Sequence, residues 1–119
     1  MSKITMPELK QQLSQFTGTE RYYKHLCNTL YTEGVKALAD LAGAYWLIDA
    51  ISSYQPRYRE LDFQLWKLVV ADDNSAVLTM REDSPLLPIV SQDIKFTDFP
   101  VGEIEIYVMN GVIFLPSEY

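Results

Sequence analysis

The sequence predicts an α+β domain in which an antiparallel sheet of about five strands carries an N-terminal helix and a central helix on one face. Three observations point there. Thr5-Met6-Pro7-Glu8 has the spacing of a capping box, so a helix opens the chain. The stretch from Val35 to Ser53 is apolar on nearly every side, as in a helix covered from several directions. After Glu60 the hydrophobic period changes to two, and turn signals at Asp72-Asp73-Asn74-Ser75 and Asn110-Gly111 fold the remainder into hairpins. The chain has 119 residues, 48% hydrophobic and 13% aromatic, which suits one domain with its own core over residues 1–119.

The elements follow in order. The first helix starts at Met6, with Ile4 and Leu9 placed as a hydrophobic staple. Leu9, Leu13 and Phe16 form its apolar stripe, and Thr17-Gly18 stops it. Arg21 to Tyr31 is rich in Tyr, Leu and Thr and has no Gly or Pro, which predicts a strand. Thr32 is placed as N-cap of the central helix, Val35 to Ser53. On a helical wheel Lys36, Asp40 and Leu47 share one side while Asp49 falls opposite, which predicts that Asp49 is a partly buried structural acid. Tyr54 to Glu60, with Pro56 and dense charge, reads as the connection to the sheet.

In the sheet region Phe63, Leu65 and Val69 alternate with Trp66, Leu68 and Val70, and the turn at 72–75 leads to a partner strand, Ala76 to Arg81. Pro85 and Pro88 break the chain. Val90, Ile94 and Phe96 then alternate with Ser91, Asp93, Lys95 and Thr97 before a turn at Asp98 to Gly102. Ile104, Ile106 and Val108 alternate with Glu103, Glu105 and Tyr107, and Asn110-Gly111 gives a type I′ hairpin into Val112 to Leu115. If Val90, Ile94, Phe96, Ile104 and Ile106 face the helices, then Asp93, Lys95, Glu103 and Glu105 occupy an open and mainly acidic face.

Cys27 is the only cysteine, so an internal disulfide is excluded and a reducing, cytoplasmic setting fits. Lys3, Pro7 and Glu8 interrupt the N-terminus where a secretory signal needs an apolar run, and Lys36, Asp40 and Asp49 argue against a membrane span at Val35 to Ile51. The net charge is −6 and is unevenly spread. Residues 60–119 hold eleven acids against Lys67, Arg81 and Lys95, whereas residues 1–59 hold five acids against seven bases. An acidic half repels phosphate and attracts basic protein surfaces, so direct nucleic-acid binding is not expected there.

At Gly43-Ala44-Tyr45-Trp46-Leu47-Ile48-Asp49, Gln92-Asp93-Ile94, Thr97-Asp98-Phe99-Pro100 and Leu115-Pro116-Ser117-Glu118-Tyr119, the chain resembles a domain family of unknown function. That family comprises small proteins of bacterial genomes, plasmids and phages, and the resemblance runs from about Phe16 to the C-terminus. It implies a genomic setting, that of mobile-element accessory genes whose small acidic products block host defence nucleases. It assigns no catalytic residue.

Two patterns invite a catalytic reading. His25 and Cys27 would share a strand face, where a Cys-His pair could form, although inert burial is the commoner fate of a cysteine. Asp93-Ile94-Lys95 has the acid-x-Lys spacing of metal-dependent nucleases, with Asp83 as a second ligand, but a sheet face of mixed charge explains it as well. Tyr54, Arg57, Tyr58 and Arg59 interleave aromatic and guanidinium groups, a composition suited to bases or to a protein hot spot.

The expectation is therefore a non-enzymatic protein-binding module without a cofactor, a phage or mobile-element inhibitor of the anti-CRISPR kind. Its partner would be a CRISPR effector or other nuclease, held on its basic nucleic-acid-binding surface. The binding residues would be Asp72, Asp73, Glu82, Asp83, Glu103 and Glu105, with Tyr54, Arg57, Tyr58 and Arg59 nearby. A small nuclease or hydrolase, and a self-associating structural protein, are the alternatives.

Overall fold

The computed structural model describes residues 4–83 and 86–119, so Lys3 and the predicted break at Pro85 lie outside the described residues. The helices are α1 (Met6–Leu13), α2 (Glu33–Ala42) and α3 (Tyr45–Tyr58). The strands are β1 (Tyr22–Lys24), β2 (Leu30–Thr32), β3 (Gln64–Val70), β4 (Ala76–Arg81), β5 (Val90–Ile94), β6 (Gly102–Met109) and β7 (Val112–Phe114). They form a seven-stranded sheet in the order β1-β2-β7-β6-β3-β4-β5. The α+β class is as expected, but the sheet has more strands and is mixed, because β2 runs parallel to β7.

Alternation decides which face is covered. Trp66, Leu68 and Val70 of β3, Leu78 and Met80 of β4, Ile104, Ile106 and Val108 of β6 and Ile113 of β7 all join one core with Leu9, Leu13, Leu38, Leu47, Ile48 and Ile51 of the helices. Leu9, Ile51, Met80 and Ile113 are fully buried, each worth about 1.5–3 kcal/mol relative to exposure. The opposite face carries Lys67, Val69, Val77, Thr79, Glu103 and Glu105, and even its valines are exposed there.

The capping box of α1 forms as its spacing requires: Glu8 N–H donates to Thr5 Oγ1 and Thr5 N–H donates to Glu8 Oε1. The Asn110-Gly111 turn also forms as expected, with φ of 54° and 74° and Met109 paired to Val112. Other expectations are corrected. The segment 21–31 is not one strand but a β1–β2 hairpin, whose connection is a 3-10 turn in which Cys27 and Asn28 have φ of 58° and 57°. The apolar run 35–53 is two helices. Gly43 adopts φ 61°, the left-handed conformation that ends α2, and α3 starts two residues later. Thr32 does cap α2, accepting from Val35 N–H at 3.3 Å. Residues 54–58 are the last turn of α3 rather than a loop, with Pro56 inside it. Phe96 lies past the end of β5, at the rim beside Gly43 and Trp46, and is 66% exposed instead of joining the core.

Candidate functional site

The acids of the second half divide by their place on the sheet. Val70 pairs with Gly102 and Val77 with Asp93, which brings the Asp72-Asp73 turn, Glu103, Glu105 and Asp93 to one end of the uncovered face. Lys67 Nζ approaches Glu103 Oε2 at 3.6 Å, and Lys95 follows β5. This end of the face is acidic but not uniformly so. Glu82 and Asp83 are at the other end of β4, six strand residues from the turn, or roughly 20 Å at about 3.3 Å per residue. The six acids therefore do not make one field.

Asp73 has a second task. Its Oδ1 accepts from Ser75 N–H at 2.9 Å and from Ser75 Oγ at 2.6 Å, closing the turn. The Ser75 hydroxyl and then its N–H hold the Asp73 carboxyl below the usual carboxylate range.

Tyr54, Arg57, Tyr58 and Arg59 belong to the helical side of the sheet. Tyr54 packs on Trp66 with ring centroids 5.5 Å apart and donates its hydroxyl to Gln92 Oε1 at 2.8 Å. The Arg57 guanidinium lies 5.9 Å from the Tyr58 ring, and Arg59 Nη2 donates to the Cys27 carbonyl. These four residues and Glu103 and Glu105 are thus on opposite sides of the sheet, and no single flat contact spans both.

Asp49 is not buried. Its side chain is 56% exposed, and its Oδ1 lies 2.5 Å from His25 Nε2. The helical wheel fails because Gly43 interrupts the helix, so positions before and after it share no common phase. His25 is thereby engaged with Asp49 and edge-on to Tyr31, and Cys27 projects from a turn instead of sharing a strand face with it. The Asp93-Lys95 pattern lies on and just past the edge strand β5, but Asp83 comes after β4 has run its length away from Val77, the neighbour of Asp93, so the two carboxylates do not converge. Among the described residues no group of three or more His, Cys, Asp and Glu side chains is placed to hold a metal ion.

Three arrangements had no clear sequence signal. Glu118 reaches across the chain: its Oε1 accepts from Thr32 Oγ1 at 2.6 Å and Leu115 N–H at 2.9 Å, while its Oε2 accepts from Gly34 N–H at 3.3 Å. It places a carboxylate at the N-terminus of α2, where the helix dipole favours negative charge. Gly34 allows this approach, since a Cβ there would lie 2.7 Å from Glu118 Oε1 and 2.8 Å from Leu115 Cδ1. Tyr119 then joins Phe63, Tyr107 and Phe114 in an aromatic cluster on the uncovered face. Inside the core, Gln55 and Gln64 exchange side-chain hydrogen bonds of 2.9 and 3.0 Å, and Trp66 Nε1 donates to Gln64 Oε1 at 2.9 Å.

A family model described as a family of unknown function, DUF6876, matches residues 7–119. The chain belongs to that family. The match covers every helix and strand above apart from the first residue of α1, so the C-terminal Leu115 to Tyr119 clasp lies within the family's domain. Comparisons with curated proteins and with solved structures found no match. No helix among the described residues is long and apolar enough to cross a membrane.

Proposed function

We propose that the protein is a non-enzymatic module that binds a basic protein surface through the acidic end of its uncovered sheet face. One observation carries this reading: among the described residues Asp72, Asp73, Asp93, Glu103 and Glu105 gather at that end, outnumbering Lys67, Lys95 and the Lys10 that borders Glu103 and Glu105. Carboxylates arranged in this way raise the association rate with a cationic partner and penalise anionic ones, including nucleic acid. The flanking Tyr119, 75% exposed and packed on Tyr107, supplies apolar area of the kind that prolongs a complex.

In its specific form the proposal is a cytoplasmic inhibitor, encoded by a phage or mobile element, that occupies the nucleic-acid-binding cleft of a host defence nuclease such as a CRISPR effector. The acidity of residues 60–119 supports this, because a carboxylate field can stand in for a phosphate backbone. The test is affinity capture from the native host with the tagged chain, followed by mass spectrometry and a cleavage assay on the captured protein. Capture of a nuclease that the chain then inhibits in a salt-dependent manner supports the proposal. Capture of the same proteins by a Glu103→Lys, Glu105→Lys variant contradicts it.

A further inference from the structure

The sheet has a gap in its hydrogen bonding that the strand order conceals. β6 is eight residues long and pairs with β3 from Gly102 to Val108, but β7 pairs only with Tyr107, Val108 and Met109. In a two-residue hairpin the residues flanking the turn exchange both backbone hydrogen bonds, and this alternates along the strand. Met109 and Tyr107 therefore direct their N–H and C=O groups to β7. By the same alternation Glu105 and Glu103 direct theirs to the side that β7 has vacated.

The reason β7 stops is covalent. The residue in register with Glu105 would be Pro116, which has no N–H to give, and the chain turns there into the 3-10 helix Pro116–Glu118. No backbone hydrogen bond from a described loop or helix reaches Glu103 or Glu105 on that side. What remains is a groove of about 290 Å³ along β6, walled by Lys10 and Leu13 of α1, by Ser14 that caps that helix, and by Leu115 to Ser117.

We propose that this groove takes one short extended peptide segment of a partner protein by strand addition beside Gly102 to Ile106, and that the segment reads basic-apolar-basic. The inference deepens the binding role proposed above and rests on it. Each part of the segment follows from the groove. Backbone pairing comes from the free N–H and C=O groups of Glu103 and Glu105. Residues opposite Glu103 and Glu105 project to the same face as those carboxylates, so Lys or Arg is favoured at both. The residue between them lies opposite Ile104 and points toward the core side, where Leu13 and Leu115 supply apolar wall. A second copy is a poor occupant. Antiparallel pairing of two β6 edges about Ile104 would set Glu103 against Glu105 of the other copy, like charge on like charge. The α1 wall of each copy would also meet the other.

The test uses a fluorescein-labelled peptide of four Lys-Val repeats, with a control of four Lys followed by four Val. Anisotropy is read at about 50 mM and about 500 mM salt. The alternating peptide should bind at least about tenfold more tightly than the block control and should slow amide exchange at residues 103 and 105. Glu105→Gln should weaken it about threefold, by removing charge alone. Glu105→Pro should weaken it about tenfold or more, because it removes the edge N–H donor together with the charge, while leaving the β3 ladder intact because that N–H faces away from β3. If the proline variant does not fold, the exchange protection at 103 and 105 in the wild-type chain decides. Equal binding of both peptides, protection elsewhere, or a concentration-dependent dimer protected at this edge would overturn strand addition. Capture of the native partner that survives Glu105→Pro but not Glu103→Lys, Glu105→Lys would overturn it too, while leaving the acidic-face reading standing.

Discussion

The replacement Glu118→Ala tests whether the C-terminal clasp is structural. Glu118 accepts three hydrogen bonds, from the Thr32 hydroxyl at 2.6 Å, Leu115 N–H at 2.9 Å and Gly34 N–H at 3.3 Å, all in part-buried surroundings. Bonds to a charged acceptor contribute about 1 kcal/mol or more each in such settings, and the long one contributes less. Removing the carboxylate also removes negative charge from the start of α2, worth about 0.5 kcal/mol. The sum is about 3 kcal/mol, which for a domain of this size lowers the melting temperature by about 10–15 °C. Differential scanning calorimetry reads this directly. Gly34→Ala adds a geometric check, because its Cβ would collide with Glu118 Oε1 and with Leu115 Cδ1. In the Glu118→Ala background half of that collision is gone, so the double variant should lose less than the two single losses together. A Glu118→Ala variant that melts within about 2 °C of wild type, or strict additivity with Gly34→Ala, would refute the clasp.

Asp49→Ala should cost less than about 1 kcal/mol by urea titration, since the Asp49 carboxylate that pairs with His25 is exposed; a loss above about 2 kcal/mol would contradict that. Gln64→Leu should cost about 2–4 kcal/mol, because it strands the Gln55 amide and the Trp66 indole N–H, whereas Gln55→Leu with Gln64→Leu should recover part of the loss. Equal stability of Gln64→Leu and wild type would refute that network. Stability should also fall on acidification below about pH 4.5. Glu8 is held below its ordinary 4.5 by the Thr5 hydroxyl, Asp40 below 3.8 by Lys36 and then Tyr45, and Asp73 below 3.8 by Ser75. For such depressed groups the stabilisation is present above the unfolded value and lost as pH falls through the folded one. A urea midpoint that rises between pH 5 and pH 3 would contradict it.

Local chemistry was legible wherever it was complete within a few residues. The Thr5-Glu8 capping box, the Thr32 cap and the Asn110-Gly111 hairpin each need only neighbours in sequence, and each forms. The break at Gly43 is masked in the sequence because Ala44 to Leu47 resumes an apolar helical pattern at once, and a wheel continued across it misplaces Asp49. The turn at Cys27-Asn28 contains no glycine, so only Asn28 hinted at a left-handed backbone. Long-range features were not legible: Thr32 to Glu118 spans 86 residues, and the free edge of β6 exists only because Pro116 ends β7. Glu103 and Glu105 could be placed on one face from period two alone. That Glu82 and Asp83 stand apart from them needed the strand pairing.

The central claim is that the acidic end of the uncovered sheet face makes the partner contact. The most direct measurement is calorimetric titration of the captured partner with wild-type chain and with the Glu103→Lys, Glu105→Lys variant, at about 50 mM and about 300 mM salt. The fold of the variant is verified first by circular dichroism. Wild-type affinity should fall by about tenfold or more between the two salts, and the variant should bind at least about tenfold more weakly at low salt with a flatter salt dependence. A folded variant with unchanged affinity and unchanged salt slope would contradict the claim and move the contact to the helical side, at Tyr54, Arg57, Tyr58 and Arg59.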